Sequence, residues 1–192
     1  IGRRHTVEDT RHAFALAREC GFDNINMDII LGLVGEDVDE VAHTLSQIEA
    51  MKPESLTVHS LAIKRAAALN IWRDKYKQLS TKNTDEIIRM TEDTAKRLSM
   101  EPYYMYRQKN MAGNLENVGY SVPGKECIYN ILIMEEKQTI IAMGAGASTK
   151  AVFDADQPNP RIERVENVKD LTSYISRIDE MIERKRIFFD NN

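Results

Sequence analysis

The chain has 192 residues, a length that suits one to one and a half domains. Of these residues 42% are hydrophobic and 29% charged, a composition typical of globular proteins. A net charge of −4 without a basic surplus argues against a nucleic-acid partner, and no apolar run approaches the roughly 18 residues of a membrane span. The two cysteines, Cys20 and Cys127, are far apart, so we expect neither a disulfide framework nor a four-cysteine zinc site, and we expect a cytoplasmic, reducing location. The start at isoleucine instead of methionine predicts a shortened chain.

The N-terminal third predicts the order helix, strand, helix, strand. Thr6 and Asp9 have the spacing of a capping box at the start of the first helix. Residues 24–31 first alternate between polar and apolar and are then wholly apolar, which predicts a strand buried on both faces. A helix over 37–52 and a strand over 56–63 complete a βαβ unit, whose strands should be parallel with a right-handed crossover.

The remaining sequence predicts an α+β region. The predicted elements are helices over 66–79, 85–98 and 168–184, a strand over 103–108, a glycine-containing loop over 113–124, a hairpin formed by 127–134 and 139–143, and a connection over 154–160. We therefore place a domain boundary between residues 65 and 66, giving domains 1–65 and 66–192. A lone βαβ unit cannot cover both faces of its own sheet, so either the C-terminal region packs on it or strands outside this chain do.

Asp28 is the first candidate for a functional residue. A carboxylate within an apolar strand is costly unless it is paired or bound to a ligand. Ligand sites in parallel α/β folds lie at the carboxyl ends of strands, and Asp28 comes near such an end. It could accept hydrogen bonds from a ligand hydroxyl, such as that of a ribose, or it could pair with a buried arginine or a helix N-terminus.

The segment 144–150 resembles a phosphate-binding loop only superficially. Lys150 follows Ser148 and Thr149, whereas a phosphate loop needs its lysine before the serine or threonine. We expect its glycines to allow close approach of the backbone to a neighbouring element or to a large flat ligand.

Aromatic and basic residues are concentrated in one stretch. They form either a half-exposed strand and hairpin surface or a wall for an aromatic polyacid, whose carboxylates the cations would meet. The residues are Tyr103, Tyr104, Tyr106, Tyr120, Tyr129, Arg107, Lys109 and Lys125.

Residues 21–33, with the sequence GFDNINMDIILGL, resemble the segment G-F-x-x-(I/V)-(N/S)-x-D-L-I-x-G-L-P-G of radical S-adenosylmethionine (SAM) enzymes of the oxygen-independent coproporphyrinogen III oxidase family. Val34 stands where that segment has proline. Residues 1–5 resemble the family's upstream L-G-R-x-H element, and 104–107 with 144–148 resemble its C-terminal elements. Details at 63–65 and 106–110 are most similar to the HemZ-type branch. The resemblance covers essentially the whole chain.

The resemblance implies an α/β fold, in which the C-terminal part of a radical SAM partial (β/α) barrel is followed by an α+β C-terminal region. By position, Arg3 corresponds to the arginine that meets the SAM carboxylate, Asp28 to the aspartate on the ribose hydroxyls, and Ile30 and Ala62 to the adenine contacts. The cofactors would be SAM and a [4Fe–4S] cluster. The C-x-x-x-C-x-x-C cluster motif is not in this chain, so we assign no metal ligand and no catalytic residue, and we expect the chain alone to be inactive.

The implied activity is oxidative decarboxylation of coproporphyrinogen III to protoporphyrinogen IX in anaerobic haem synthesis. Its partners would be a porphyrinogen substrate and an electron donor. Two alternatives stay open: a haem-binding chaperone of the same fold without decarboxylase activity, and a purely structural domain for substrate or partner contact. The resemblance does not separate the decarboxylase from the chaperone, because a family resemblance indicates the fold more firmly than it indicates the chemistry.

Overall fold

The computed structural model describes residues 4–61, 84–106 and 116–191. The chain divides into two compact units, Ile1–Cys127 and Ile128–Asn192. The predicted boundary between residues 65 and 66 falls outside the described residues and stays a prediction. None of the helices within these ranges is both long enough and apolar enough to cross a membrane.

The first unit is a four-stranded mixed sheet with helices. Its elements are α1 (Val7–Glu19), β1 (Asn26–Leu31), α2 (Val38–Met51), β2 (Ser55–Ser60), α3 (Asp85–Arg97), β3 (Glu101–Tyr106) and β4 (Asn117–Ser121). The strand order is β1-β2-β4-β3, with β1 and β2 parallel and β4 antiparallel to both of its neighbours. The predicted parallel strand pair is therefore confirmed, and so is the predicted helix at 85–98.

Both helices of the βαβ unit begin at capping boxes. In α1 the Asp9 amide donates to Thr6 Oγ1 at 3.1 Å, and the Thr6 amide donates to the Asp9 carboxylate at 2.7 Å, as the sequence predicts. In α2, Asp37 and Glu40 form the same reciprocal pair. This second helix ends at Lys52, which adopts a left-handed conformation directly before Pro53.

One face of the sheet forms the hydrophobic core. Strand alternation places Leu31 of β1 and Leu56 of β2 on that face, where they pack with α2 and α3. Leu56 is 0% exposed. The opposite face is polar, and Asn26 and Asp28 of β1 are exposed there. The prediction that 24–31 is buried on both faces is therefore wrong within the described residues, since only the odd-numbered positions of β1 enter the core.

The second unit contains a hairpin and three helices. Its elements are α4 (Ile128–Met134), β5 (Ser148–Phe153), β6 (Arg161–Glu166), α5 (Leu171–Ser176) and α6 (Ile178–Asp190). Strands β5 and β6 pair antiparallel around the predicted connection at 154–160. Ala151 of β5 and Met181 of α6 are its most deeply buried apolar side chains.

Three predicted elements differ from the structure, and one cannot be compared. The predicted hairpin of 127–134 and 139–143 is wrong: the first segment is α4, and the second contributes a single bridge from Ile140 to Lys150. The loop predicted at 113–124 contains β4, and the helix predicted at 168–184 is divided into α5 and α6 at Arg177. The predicted helix 66–79 lies outside the described residues.

The glycines of the segment 144–150 have a local structural role. Gly144 and Gly146 both have positive φ angles, which favour glycine. The Gly144 amide donates to the Tyr174 hydroxyl at 2.9 Å, and its carbonyl accepts from Asn167 Nδ2 at 2.8 Å. The Gly146 amide donates to the Val168 carbonyl at 2.8 Å. The close approach expected here is therefore to neighbouring elements of the same unit.

Candidate functional site

The polar face of the four-stranded sheet carries the candidate site. Asp28 of β1 lies directly opposite Thr57 of β2, and Ile30 lies opposite His59. Because side chains alternate along a strand, these four side chains share one face. The face that does not enter the core thus presents a carboxylate, a hydroxyl and an imidazole within two strands.

The Asp28 carboxylate has a polar neighbour at each oxygen. Its Oδ1 accepts a hydrogen bond from Asn26 Nδ2 at 2.6 Å, and Asn26 Oδ1 in turn accepts from the Thr57 hydroxyl at 3.0 Å. Its Oδ2 lies 3.7 Å from His59 Nε2, which is longer than a hydrogen bond and is an ion pair only when the imidazole is protonated. The Asp28 side chain is nevertheless 60% exposed. It is therefore oriented by neighbours while part of its surface remains available to a ligand.

Its surroundings favour the ionised form of Asp28. The nearby His59 imidazole, followed by the Asn26 amide, lowers the pKa of this carboxyl below its ordinary value, although partial burial opposes the shift. At neutral pH the group is a carboxylate, which accepts hydrogen bonds and donates none. A ligand that meets it must offer donors, and a vicinal diol offers two.

Two tyrosines extend the site across the sheet. The Tyr106 hydroxyl lies 3.3 Å from His59 Nδ1, although β4 lies between the strands that carry these two residues. The Tyr104 and Tyr106 rings are parallel within 3°, with centroids 6.3 Å apart. Burial raises the pKa of the Tyr104 hydroxyl.

Gly119 of β4 makes this arrangement possible. It is the cross-strand partner of Tyr104, and a Cβ atom at position 119 would lie 1.9 Å from Tyr104 Cε1. The tyrosine ring therefore lies directly over the glycine backbone. Any other residue at 119 would have to displace that ring.

Asp28, Ile30, His59 and Tyr106 line a cleft of about 790 Å³. The volume is within the range of small-molecule and cofactor sites, roughly 300–1,000 Å³. Its wall combines apolar and ionisable groups: among them are Ile30, Leu33, Asp28, Glu36, His59 and Tyr106. Burial, followed by repulsion from Glu40, raises the pKa of the Glu36 carboxyl. The cleft therefore holds one carboxylate that is stabilised as an anion and one that is destabilised as an anion.

Two of the four sequence-predicted site residues lie together in this cleft. Asp28 and Ile30 occur on the same face of β1, and Asp28 is in the middle of the strand instead of near its end. Arg3 and Ala62 lie outside the described residues, so their predicted roles stay predictions.

The predicted cluster of tyrosines is divided by the fold. Tyr104 and Tyr106 lie on the polar face, whereas Tyr120 is 9% exposed in the core on the opposite face. Tyr129 is in the second unit, and Lys125 pairs with Asp23 at 3.0 Å. Arg107 and Lys109 lie outside the described residues.

His59 is the site residue that the sequence analysis missed. A search for metal-type spacing among histidines does not find it. The alternation of Ser55, Thr57 and His59 in β2, matched to Asn26 and Asp28 in β1, is the signal that places a polar stripe on one face.

The donor set of this chain does not fit an iron–sulfur cluster. Such a cluster needs grouped thiolates, and the chain has two cysteines, Cys20 and Cys127, both exposed. Within residues 4–61, 84–106 and 116–191, no group of three histidine, cysteine or acidic side chains could hold a metal ion. No step is therefore assigned to a metal on these residues.

A βαβ unit whose polar face carries a carboxylate in a cofactor-sized cleft makes this an α/β protein with a candidate small-molecule site. The fold is similar to that of coproporphyrinogen III oxidase HemN from Escherichia coli, a radical SAM enzyme, with a TM-score of 0.57 and 18% identity over 92% of this chain and 39% of that one. The predicted fold class is thereby confirmed.

The sequence comparisons identify the family. The chain is 48% identical over 188 residues to the oxygen-independent coproporphyrinogen-III oxidase-like protein HemZ of Bacillus subtilis, covering 96% of this chain and 36% of HemZ. It is 23% identical over 175 residues to the heme chaperone HemW of Haemophilus influenzae, covering 91% of this chain and 41% of that protein. No protein-family profile matches. The chain belongs to the oxygen-independent coproporphyrinogen III oxidase-like family, as its sequence motifs predict, and spans about a third to two-fifths of the length of these relatives.

Proposed function

We propose that this chain supplies the ribose and adenine part of the SAM site in a radical SAM protein that acts on coproporphyrinogen III. The observation that carries the proposal is the Asp28 carboxylate, which is ionised, oriented from two sides and exposed to a cleft of suitable size. A ribose presents two adjacent hydroxyls, and a carboxylate with two oxygens can accept from both.

Ile30 supports the adenine part of the proposal. It is half-buried on the same face as Asp28, two residues further along β1, and it lines the cleft. An apolar side chain next to a diol acceptor suits a nucleoside, whose base is flat and largely apolar on its faces. By family correspondence, Ala62 contributes a second adenine contact and Arg3 binds the SAM carboxylate through its guanidinium.

The reaction belongs to the whole protein. SAM bound beside a reduced [4Fe–4S] cluster supplies radical chemistry that removes a hydrogen atom from an unreactive C–H bond. We propose oxidative decarboxylation of coproporphyrinogen III to protoporphyrinogen IX, with a separate electron donor, in the cytoplasm. The name and similarity of HemZ support this assignment. This chain contributes binding and orientation of SAM, since its thiols do not fit a cluster.

A haem-binding chaperone is the second candidate. Its support is the similarity to HemW over 91% of this chain, at lower identity than to HemZ. The two candidates share the SAM site and differ in what happens to the porphyrin. Asp28 does not distinguish them, because both require the same cofactor contact.

One experiment separates these candidates. The protein at its full natural length is reconstituted anaerobically with iron and sulfide and incubated with SAM, a reductant and coproporphyrinogen III. Mass spectrometry should show the loss of two carboxyl groups together with 5′-deoxyadenosine. Haem binding with an untouched porphyrinogen would favour the chaperone instead.

The SAM site is tested by substitution. Asp28→Ala should weaken SAM binding by about 1.5–3 kcal/mol, the range for losing hydrogen bonds to a charged group. Asp39→Ala, which removes an exposed carboxylate from the first turn of α2, serves as a matched control and should leave affinity unchanged. Unchanged affinity in Asp28→Ala would refute the site.

A further inference from the structure

His59 lines the cleft, and the proposed SAM site gives it no role. Both of its ring nitrogens face polar groups: Nε2 lies 3.7 Å from Asp28 Oδ2, and Nδ1 lies 3.3 Å from the Tyr106 hydroxyl. Its side chain is 27% exposed, so less than a third of it meets solvent. From its place on β2, the imidazole thus lies between a residue of the neighbouring β1 and a residue of β3 on the far side of β4.

The partners of His59 favour one tautomer. A carboxylate only accepts hydrogen bonds, so the neutral ring is best placed with its proton on Nε2, the nitrogen 3.7 Å from Asp28 Oδ2. Nδ1 is then an acceptor, and the Tyr106 hydroxyl is the group that can donate to it. The tyrosine therefore sets which nitrogen faces the carboxylate, as a second partner commonly does for functional histidines.

We infer that His59 is a positioning residue for diol binding, which holds the Asp28 carboxylate in the orientation that accepts the two ribose hydroxyls. This inference rests on the proposed SAM site. Asn26 fixes one carboxylate oxygen through a 2.6 Å hydrogen bond. Without the imidazole, the other oxygen would lose its neighbour and the carboxylate could rotate about its Cβ–Cγ bond. A rotated carboxylate meets only one ribose hydroxyl.

A simple packing role for His59 predicts different behaviour. If the ring only fills space, phenylalanine should replace it with little effect on ligand binding, and glutamine should be worse because it is less rigid. If the Nε2–H group matters, glutamine should be the better substitute, since its amide can still donate to Asp28. The two replacements therefore rank in opposite order under the two hypotheses.

The test measures binding of S-adenosylhomocysteine, a non-reactive SAM analogue, by calorimetry on the cluster-reconstituted protein at its full natural length. His59→Phe should weaken binding roughly 3- to 10-fold, the effect of losing one polar contact of ordinary hydrogen-bond strength. His59→Gln should remain within about 3-fold of the wild type by retaining a donor. In an Asp28→Ala background, His59→Phe should have no further effect, because groups that act through one another are not additive.

Each outcome has a defined meaning. Equal losses in His59→Phe and His59→Gln, or losses that add to that of Asp28→Ala, would overturn the inference and leave the SAM site intact. Wild-type affinity in His59→Phe would do the same. Wild-type affinity in Asp28→Ala would overturn both the inference and the proposed site. Melting temperatures of all variants separate loss of binding from loss of folding.

Discussion

Gly119 offers a direct test of how Tyr104 packs on the polar face of the sheet. A methyl group at this position would lie 1.9 Å from Tyr104 Cε1, far inside van der Waals contact. Gly119 does not have a positive φ, so alanine meets no backbone penalty there. Its whole cost should be the displacement of the Tyr104 ring, about 1–3 kcal/mol for overpacking of this kind.

Combining Gly119→Ala with Tyr104→Ala isolates the free-energy cost of displacing the Tyr104 ring. With Tyr104→Ala in place, the space above residue 119 is open, and Gly119→Ala should be neutral or stabilising by about 0.5–1 kcal/mol, because alanine restricts the unfolded chain. The coupling energy between the two positions should therefore be about 1–3 kcal/mol. The assay is urea unfolding read by pulsed hydrogen exchange of the β4 peptide, which reports the opening of this sheet.

Gly35 provides the matched control. A Cβ atom there would meet no atom within 4 Å, but its φ of +85° penalises alanine through the backbone. Gly35→Ala should cost about 1–2 kcal/mol whether or not Tyr104 is present. If Gly119→Ala also cost the same in both backgrounds, the steric explanation would be refuted.

Three further predictions concern other contacts of the first unit. Arg18→Lys should lower the free energy of unfolding by about 1–2 kcal/mol in urea titrations, because a single ammonium cannot replace the guanidinium that donates to Glu54 at 2.7 Å and to two backbone carbonyls. Leu56→Ala should cost about 2–5 kcal/mol in the same assay, since Leu56 is 0% exposed. His59→Phe should raise the pKa of Asp28 in carboxyl ¹³C NMR, because it removes the largest cause of the lowered value and leaves only Asn26 and Thr57 to oppose burial. In the wild type the ionised carboxylate contributes stability above the ordinary pKa, and this contribution is lost as pH falls through the lowered one.

Each of these has an outcome that contradicts it. Full stability with lysine at 18 would mean that the guanidinium geometry is unimportant, and a cost below 1 kcal/mol at Leu56 would mean that the core repacks around the vacancy. An unchanged Asp28 pKa in His59→Phe would show that the imidazole does not stabilise the carboxylate.

The βαβ unit could be predicted because several local signals agree there. The capping box at Thr6 and Asp9, the apolar stripe of α2 and the apolar run of β1 all indicate the same order of elements, and the structure follows them. The carboxylate at position 28 stood out as a candidate because it interrupts this apolar strand, and the family motif added its expected role on a ribose. What these signals could not give is which side chains of β2 and β3 meet it, because cross-strand register is set by tertiary pairing.

The missed elements have physical reasons. The segment 128–134 has seven residues that are apolar apart from Asn130, a length at which strand and helix cannot be told apart by periodicity. Strand β4 contains Asn117 and Gly119, residues typical of loops, so it resembled part of a turn. Its glycine is explained by the ring of Tyr104 above it, a cross-strand contact that only the register of β3 and β4 reveals.

The antiparallel insertion of β4 between β2 and β3 has a consequence for how this family can vary. Ser55 of β2 and Ser121 of β4 share a hydrogen bond although 66 positions separate them in the chain. Doubling the length of such a connection costs only about 0.6 kcal/mol of chain entropy. Insertions in the connection from β2 to α3 or from β3 to β4 therefore need not move His59 or Tyr106, since strand register holds both in place. The length of these two connections can change while the polar stripe of the sheet stays the same.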